Sequence, residues 1–514
     1  MNGPARRLAY GALVVYWALL ATFHVGRPPG PDQYELAYAA HRVLTGAVPY
    51  VDVVDMNWPG YLVYGLADYL PNVAYPVRLL DFLWTLLCGA AAAELVSNIW
   101  GGAARWATWV LAPLVYVHVG SHMTGQTDVL AAHLFFPIAW LGLRWPASAR
   151  ATTLAGLLFG VAVAIKPSFA VVGLCLLLWR VFLPSPREPF RLRLLDGLLW
   201  GSAGVATVAL SFGLVLLLGT PLRQLWDLLF VYNATAQFFP EEVTYRIGDS
   251  LWQGLWPSAK WWLPSTLLAL LTLGSGHLSA RERWLFPTLL VAGLLNFLLQ
   301  GRYYEYHAGL LLDVLLLLGS AGFGLAIEQL AQATRRRGVD WTPFFGLSLL
   351  ASAVGLGGFV AKGTRLLDWP YGAVGRQRVR NEQFWNDCSN GEVDDLAHRI
   401  ASVVPADQPI LVWQGSPSRV LLQANRPSST RFFYSAILAQ ARPPLPMAAA
   451  WNERFVADLR ERPPRAVALG RHFHSRLLGL RSPAAQAVEA LLQGFHEVGR
   501  YGDYTLWLPL GEVR

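Results

Sequence analysis

Charge is scarce in this chain: only 14% of its 514 residues are Asp, Glu, Lys or Arg, against about 25% in an average soluble domain. A water-soluble fold of this length is therefore not expected. Cysteine is nearly missing. Cys88 and Cys175 sit inside apolar runs and Cys388 stands alone, so neither a disulfide framework nor a thiolate zinc site is available. Phosphate-loop glycine patterns, Ser/His/Asp signatures and redox motifs are absent. There is no internal repeat and no low-complexity linker. A net charge of +8 invites nucleic acid as a partner, but the arginines fall in short bursts between apolar runs rather than on one soluble face, which excludes that reading.

What the chain does have is apolar length. With 54% hydrophobic residues, 22 Trp and a mean hydropathy of +0.36, its solvent is the bilayer. The first run, Leu8 to Phe23, follows Arg6 and Arg7 without a small-x-small cleavage site and reads as a retained span. Further runs cover 77–99, 106–119, 128–143, 151–165, 168–183, 197–219, 262–276, 285–299, 308–327 and 343–361. The expected fold is an α-helical polytopic membrane protein with about eleven spans; several runs fall short of a full crossing, and 151–165 and 262–276 are the most open to redrawing.

Positive charge accumulates on cytoplasmic loops. With the N-terminus inside, one set of short loops carries Arg105, Arg144, Arg150, Arg180, Arg187, Arg191, Arg193, Arg281, Arg283 and the Arg335–Arg337 run. The opposite, longer set holds only Arg27, Arg42, Arg78, Lys166, Arg223, Arg246, Lys260 and Arg302. This map makes 1–362 a membrane domain with long outer segments at 24–76 and 220–261, and places 363–514 outside as a small α/β domain. Leu36, Ala40, Val43 and Leu44 recur at helical spacing before Gly46, and a second helical stretch follows Pro59. Segment 220–261, with Phe238, Phe239, Tyr245 and Trp256, reads as an interfacial loop able to order over a substrate. The tail offers an amphipathic helix near 392–403 and strand-like runs at 410–413, 431–434 and 504–508.

Unusual polar residues collect on the outer side: Asp32, Asp55, His122, Asp128, Lys166, Arg246, Arg302, Glu305 and His307. Ionisable groups at a bilayer mark functional cavities, although a group at a span end can snorkel to water cheaply. Asp32 and Glu35 also satisfy the spacing of a helix capping box, and the two roles are compatible: amide donors at a helix start would hold an oriented carboxylate ionised. Asp55, in Val54-Asp55-Met56-Asn57-Trp58-Pro59, is explained by a turn. Lys166 is one of three lysines, with Lys260 and Lys362, among 41 basic residues. Flanked by Ile165 and Pro167, it offers a compact cation to a phosphate or a snorkelling stem. The segment Gln300-Gly301-Arg302-Tyr303-Tyr304-Glu305-Tyr306-His307 is read either as an aromatic belt or as part of a site; a belt accounts for the tyrosines but less well for Arg302 and His307. His118 and His133 are expected as packed side chains. Asp32 and His307, with Asp55, Asp128 and Glu305, could supply ligands to a divalent metal, though no local spacing matches a ligand motif.

A first span followed by Pro31-Asp32-Gln33-Tyr34-Glu35, Ala39, Leu44, Gly46, Pro49-Tyr50, Asp52 and Pro59 resembles the first outer loop of GT-C membrane glycosyltransferases, in the branch of protein O-mannosyltransferases and aminoarabinose transferases. Ile165-Lys166-Pro167 and Tyr306-His307 are weaker matches, and the tail runs Ile410–Trp413 and Arg431–Tyr434 are similar to outer domains of bacterial relatives. Where many relatives carry an Asp-Glu pair, this chain has Asp32-Gln33. The resemblance implies a hexosyl- or pentosyltransferase of the cytoplasmic membrane. It would move a sugar, with inversion, from a polyprenyl-phosphate-linked donor to a hydroxyl of a lipid, glycan or protein acceptor on the outer face. It also implies Asp32 as general base, Lys166, Arg302 and His307 around the donor phosphate, and Asp55, Asp128, Arg246, Tyr304 and Glu305 as secondary candidates. A transporter would use the same embedded charges but should show symmetry between two halves, which is not evident. A lipid-linked glycan ligase or polymerase should place its key residues in a late outer loop. A non-catalytic scaffold is the third rival.

Overall fold

The computed structural model describes residues 3–26, 29–71, 75–118, 124–146, 148–183, 189–233, 256–274, 278–300, 305–333, 390–413, 417–433, 438, 447–470, 482–502 and 504–511. The membrane part runs α1 (Gly3–Val25), α2 (Pro31–Leu44), a 3-10 stretch (Pro59–Tyr69), α3 (Pro76–Trp100), α4 (Gly102–His118), α5 (Thr127–His133), α6 (Phe135–Arg144), α7 (Ala149–Ile165), α8 (Ala170–Phe182), α9 (Phe190–Leu217), α10 (Leu222–Trp226), α11 (Trp256–Thr272), α12 (Ala280–Leu299) and α13 (Gly309–Ala333). Among the described residues five helices are long and apolar enough to cross a membrane: α1, α3, α9, α12 and α13. The short runs expected at 151–165 and 262–276 fall on α7 and α11, while 343–361 lies outside the described residues.

The expected single run 128–143 is broken between α5 and α6. Pro137 accounts for the interruption, because it removes the hydrogen bond to the His133 carbonyl and crowds it; Leu134 at the junction stays helical (φ −65°, ψ −21°), so the run is kinked there. Helix α9 buries only Gly197, Trp200, Gly204 and Val215 and leaves Leu210 72% and Leu217 87% exposed, a face that only lipid can cover. Helix α13 runs through the centre, and its Gly322 and Gly324 let the backbones of Ser265 on α11 and Ala104 on α4 approach closely.

The C-terminal tail holds α14 (Asn390–Val403), α15 (Pro417–Ala424), α16 (Ala448–Glu461) and α17 (Pro483–Leu492) around a four-stranded mixed sheet. Strand β1 (Leu411–Trp413) pairs parallel with β2 (Val467–Gly470); β4 (Tyr504–Pro509) joins β2 and β3 (Phe495–Tyr501) antiparallel, giving the order β1-β2-β4-β3. The strand expected at 431–434 is not formed over Arg431–Phe433. That stretch instead bolts the tail onto the first outer loop: the Val54 amide donates to the Arg431 carbonyl (3.0 Å), Arg431 Nη1 donates to the Val51 carbonyl (2.9 Å), and the Phe433 ring packs on Tyr38 at 5.0 Å. Arg431 Nε is held by the buried Asp458 carboxylate at 3.0 Å, which Arg454 also touches at 3.0 Å. Loop and tail consequently share one hydrophobic core, in which Tyr50, Tyr61 and Val54 meet Trp413, Phe432 and Phe455.

Breaking a buried ion pair on one side typically costs about 3–5 kcal/mol. Arg431→Ala should fall at the lower end of that range because Arg454 keeps one contact to Asp458. Thermal unfolding of the solubilised protein, combined with limited proteolysis at the loop–tail junction, checks this. An unchanged melting temperature and cleavage pattern would show the clamp to be idle.

Candidate active site

Helix α2 starts at Gly30, with Pro31 in its first position and Asp32 in its second. The capping box is not the one expected from Asp32 and Glu35. Gln33 Oε1 accepts the Gly30 amide at 3.0 Å, and the Gln33 amide group donates to the Thr124 carbonyl. Gln33 is therefore a structural cap, and Asp32 is left to face Lys166 and Asp128.

The loop opposite is fixed by a buried network. Arg78 Nη1 donates to both the Thr124 carbonyl (3.1 Å) and its hydroxyl (2.7 Å), Tyr64 donates to the Gly125 carbonyl (2.7 Å), and Tyr116 accepts the Gly125 amide (3.0 Å) while donating to Asp81 (2.7 Å). His24 closes the set on Asp81 at 2.7 Å. Gly125 has φ +69°, and a Cβ there would press on the Asp81 carboxylate at 3.1 Å, so glycine alone fits. The loop delivers Gln126, which together with Tyr306 donates to the Asp32 carboxylate.

Lys166 is set by its neighbour in sequence. A residue before proline is pushed out of the helical region, and Lys166 is extended (φ −145°, ψ 107°), ending α7 and turning its side chain to Asp128. Its Nζ lies 3.0 Å from Asp128 Oδ2, and Gln300 Nε2 donates to Asp128 Oδ1 at 2.7 Å. Asp128 is fully buried and the Lys166 side chain is 25% exposed, so the pair joins a buried carboxylate to a partly exposed lysine. Gly60, at the start of the 3-10 stretch, lies directly on the Ala164–Ile165 backbone, which locks the first outer loop to the end of α7 that carries Lys166. Gly60→Ala should cost about 1–3 kcal/mol through overpacking and slow turnover by displacing α2 from Lys166. Paired stability and rate measurements check this; an unchanged rate would show that loop and lysine need no common anchor.

Burial outweighs the attraction of Lys166 and holds the Asp32 carboxyl above the ordinary carboxylate range, with Asp128 pushing the same way. This reverses the sequence expectation that helix-start amides keep it low. Glu35, one turn on, is 7% exposed; desolvation, then Asp55 and Asp32, hold its carboxyl well above its usual range. Asp55 sits in the expected turn, with Oδ1 accepting the Asn57 amide (2.8 Å) and side chain (2.7 Å). It faces Glu35 and Tyr61 rather than Lys166.

The structure thus brings Asp32, Lys166 and Asp128 together and adds Gln126, Gln300 and Tyr306, which the sequence did not single out as site residues. The polar run Thr124-Gly125-Gln126-Thr127-Asp128 between apolar helices was the available signal. His307 is buried beside the site, its ring edge-on to Tyr306 at 4.8 Å, and Glu305 opens the same 3-10 turn (Glu305–Ala308). Arg302, Tyr304, Arg246 and most of the aromatic segment between 234 and 255 lie outside the described residues. Among the described residues no group of three or more His, Cys, Asp or Glu side chains is disposed to hold a metal ion, and Asp32 and His307 belong to none.

The fold is similar to that of two solved structures. ArnT from Cupriavidus metallidurans bound to undecaprenyl phosphate superposes with a TM-score of 0.59 over 100% of this chain and 99% of that one, at 13% identity. The Archaeoglobus fulgidus oligosaccharyltransferase tethered to an acceptor peptide gives 0.53 over 98% of this chain and 75% of that one, at 10% identity. No protein-family model and no curated protein matches the sequence.

Proposed function

We propose that the chain transfers a sugar from a polyprenyl-phosphate-linked donor to an acceptor hydroxyl on the outer face of the membrane. The observation that carries this reading is the meeting of Asp32, near the start of α2, with the Lys166–Asp128 ion pair at the break between α7 and α8. The Asp32 carboxylate takes the proton of the acceptor hydroxyl as its oxygen bonds to the anomeric carbon. The bond from that carbon to the donor phosphate breaks on the opposite face, so the configuration inverts and polyprenyl phosphate leaves. A carboxyl raised toward neutrality by burial is a stronger base than a solvated one and matches this role. Lys166, already oriented by Asp128, offers its outward face to the departing phosphate, where charge accumulates. We place Arg302 and His307 beside it as the remaining phosphate ligands. No nucleotide site is needed, because the donor arrives activated.

The test is reconstitution in proteoliposomes with a panel of polyprenyl-phosphate sugars, reading release of free polyprenyl phosphate with and without acceptor. No release from any donor argues for the transporter reading. Because Asp32 must be ionised to act, activity should fall as pH drops through its raised pKa. The acid limb of the rate profile is expected above the ordinary Asp value of about 3.9. A midpoint at or below that value would remove the base from the mechanism.

A further inference from the structure

On the face of α2 turned away from Asp32, a cleft of about 590 Å³ opens between the first outer loop and the tail. Such a volume falls within the about 300–1,000 Å³ of small-ligand sites. Its floor is aromatic, from Tyr34, Tyr38 and Tyr75, and its rim is polar, from His41, Asp68 and Asn425. We infer that this cleft is a binding site for a neutral carbohydrate, separate from the transfer site.

The chemistry of the rim selects the ligand. Arg426 would be the obvious anchor for a phosphate, but all its donors are spent on backbone carbonyls. Nε and Nη2 both reach Val404, Nη2 also reaches Ala401, and Nη1 serves Ala424 and Asn425. Arg42 alone remains as a cation, and the Asp68 carboxylate on the same rim opposes any anion. What the rim does offer is a pair of groups at 2.8 Å, His41 Nδ1 and Asp68 Oδ2, that are 33% and 36% exposed, together with the amide of Asn425. Groups that accept and groups that donate together suit hydroxyls, which do both, and the half-buried Tyr75 ring suits the C–H face of a pyranose. An anionic head group would meet one uncommitted guanidinium, that of Arg42, set against the Asp68 carboxylate.

The walls are also built to last. Tyr34 accepts from Gln423 at 3.4 Å and lies under the Arg419 guanidinium at 5.5 Å, while Tyr38 accepts the Ser428 amide at 3.2 Å. The cleft therefore exists only where loop and tail dock, and it places a bound glycan on the reverse side of the helix that presents Asp32.

Saturation-transfer NMR and calorimetry on the full chain in neutral phosphatidylcholine nanodiscs, with maltotriose and chitotriose as probes and no donor present, test the inference. Saturable binding of at least one sugar is expected, weakened about tenfold, or 1.4 kcal/mol, by Asp68→Ala and by Asn425→Gly, and unaffected by Asp32→Asn. Asn425 has φ +49°, so glycine there removes the amide without straining the backbone. Absence of binding by either sugar, or binding indifferent to both rim substitutions, overturns it. Preferential binding of glycerol phosphate, or of phosphatidylglycerol placed in the discs, overturns it in favour of a lipid head group. Because no donor is used, these outcomes are independent of whether sugar transfer itself is observed.

Discussion

Asp32→Asn is expected to lower the rate of sugar transfer by about 10²–10⁴-fold, the usual worth of a positioned general base, without loss of fold. The amide is nearly the same size and spares the desolvation that raises the acid's pKa. Its carbonyl can still accept from Gln126 or Tyr306, so the melting temperature should hold or rise. A rate within about tenfold of wild type would leave Asp32 as a helix-start residue and nothing more. Loss of rate together with collapse of the fold would leave its chemical role undecided, and Asp32→Glu then discriminates. A base only slightly misplaced recovers part of the activity, whereas a purely packed side chain does not.

The second large effect concerns Lys166. Lys166→Met removes the only cation touching Asp128 among the described ion pairs and leaves a fully buried carboxylate uncompensated, a loss of about 3–5 kcal/mol. The double variant Lys166→Met/Asp128→Asn should restore most of that stability, since the two sites are directly coupled. It should not restore activity. That split separates a lysine that only neutralises its neighbour from one that also meets the donor phosphate: melting temperature reports the first role and transfer rate the second. If the double variant regains both, Lys166 is structural and the phosphate must be held elsewhere.

How these groups could be read in advance differs from one to the next. Lys166 was legible because lysine is so rare in this chain and because Pro167 dictates the extended backbone that aims it. Asp32 was legible as a polar residue at a helix start, but its capping partner was not. Gly30 precedes a proline and needs no side chain to begin the helix, so the cap passed to Gln33. The link from Asp128 to Gln300 joins positions 172 apart, and no local spacing can announce such a contact. Helices were legible where apolar length alone forms them, and the break at Pro137 shows where length misleads. The tail was harder. Strand β2 is only four residues long. In β3 a bulge between Glu497 and Gly499 interrupts the alternation that marks a half-buried strand. At Arg431–Phe433 the aromatics mimic a strand, yet are buried by packing on Tyr38 rather than by a ladder.

The clamp between the tail and α2 has a bearing on biogenesis. Tyr38 takes its hydrogen bond from the amide of Ser428, a residue 390 positions later, and the Arg431 guanidinium closes on the carbonyl of Val51. During synthesis the helix that carries Asp32 is made early, and it must wait half-packed until almost the whole polypeptide has followed. Ordering that depends on such distant partners is slow, and chains shortened at the C-terminus should insert yet leave this helix loosely held. The tail thereby acts as a completeness check, withholding the final setting of Asp32 from any nascent chain that stops short.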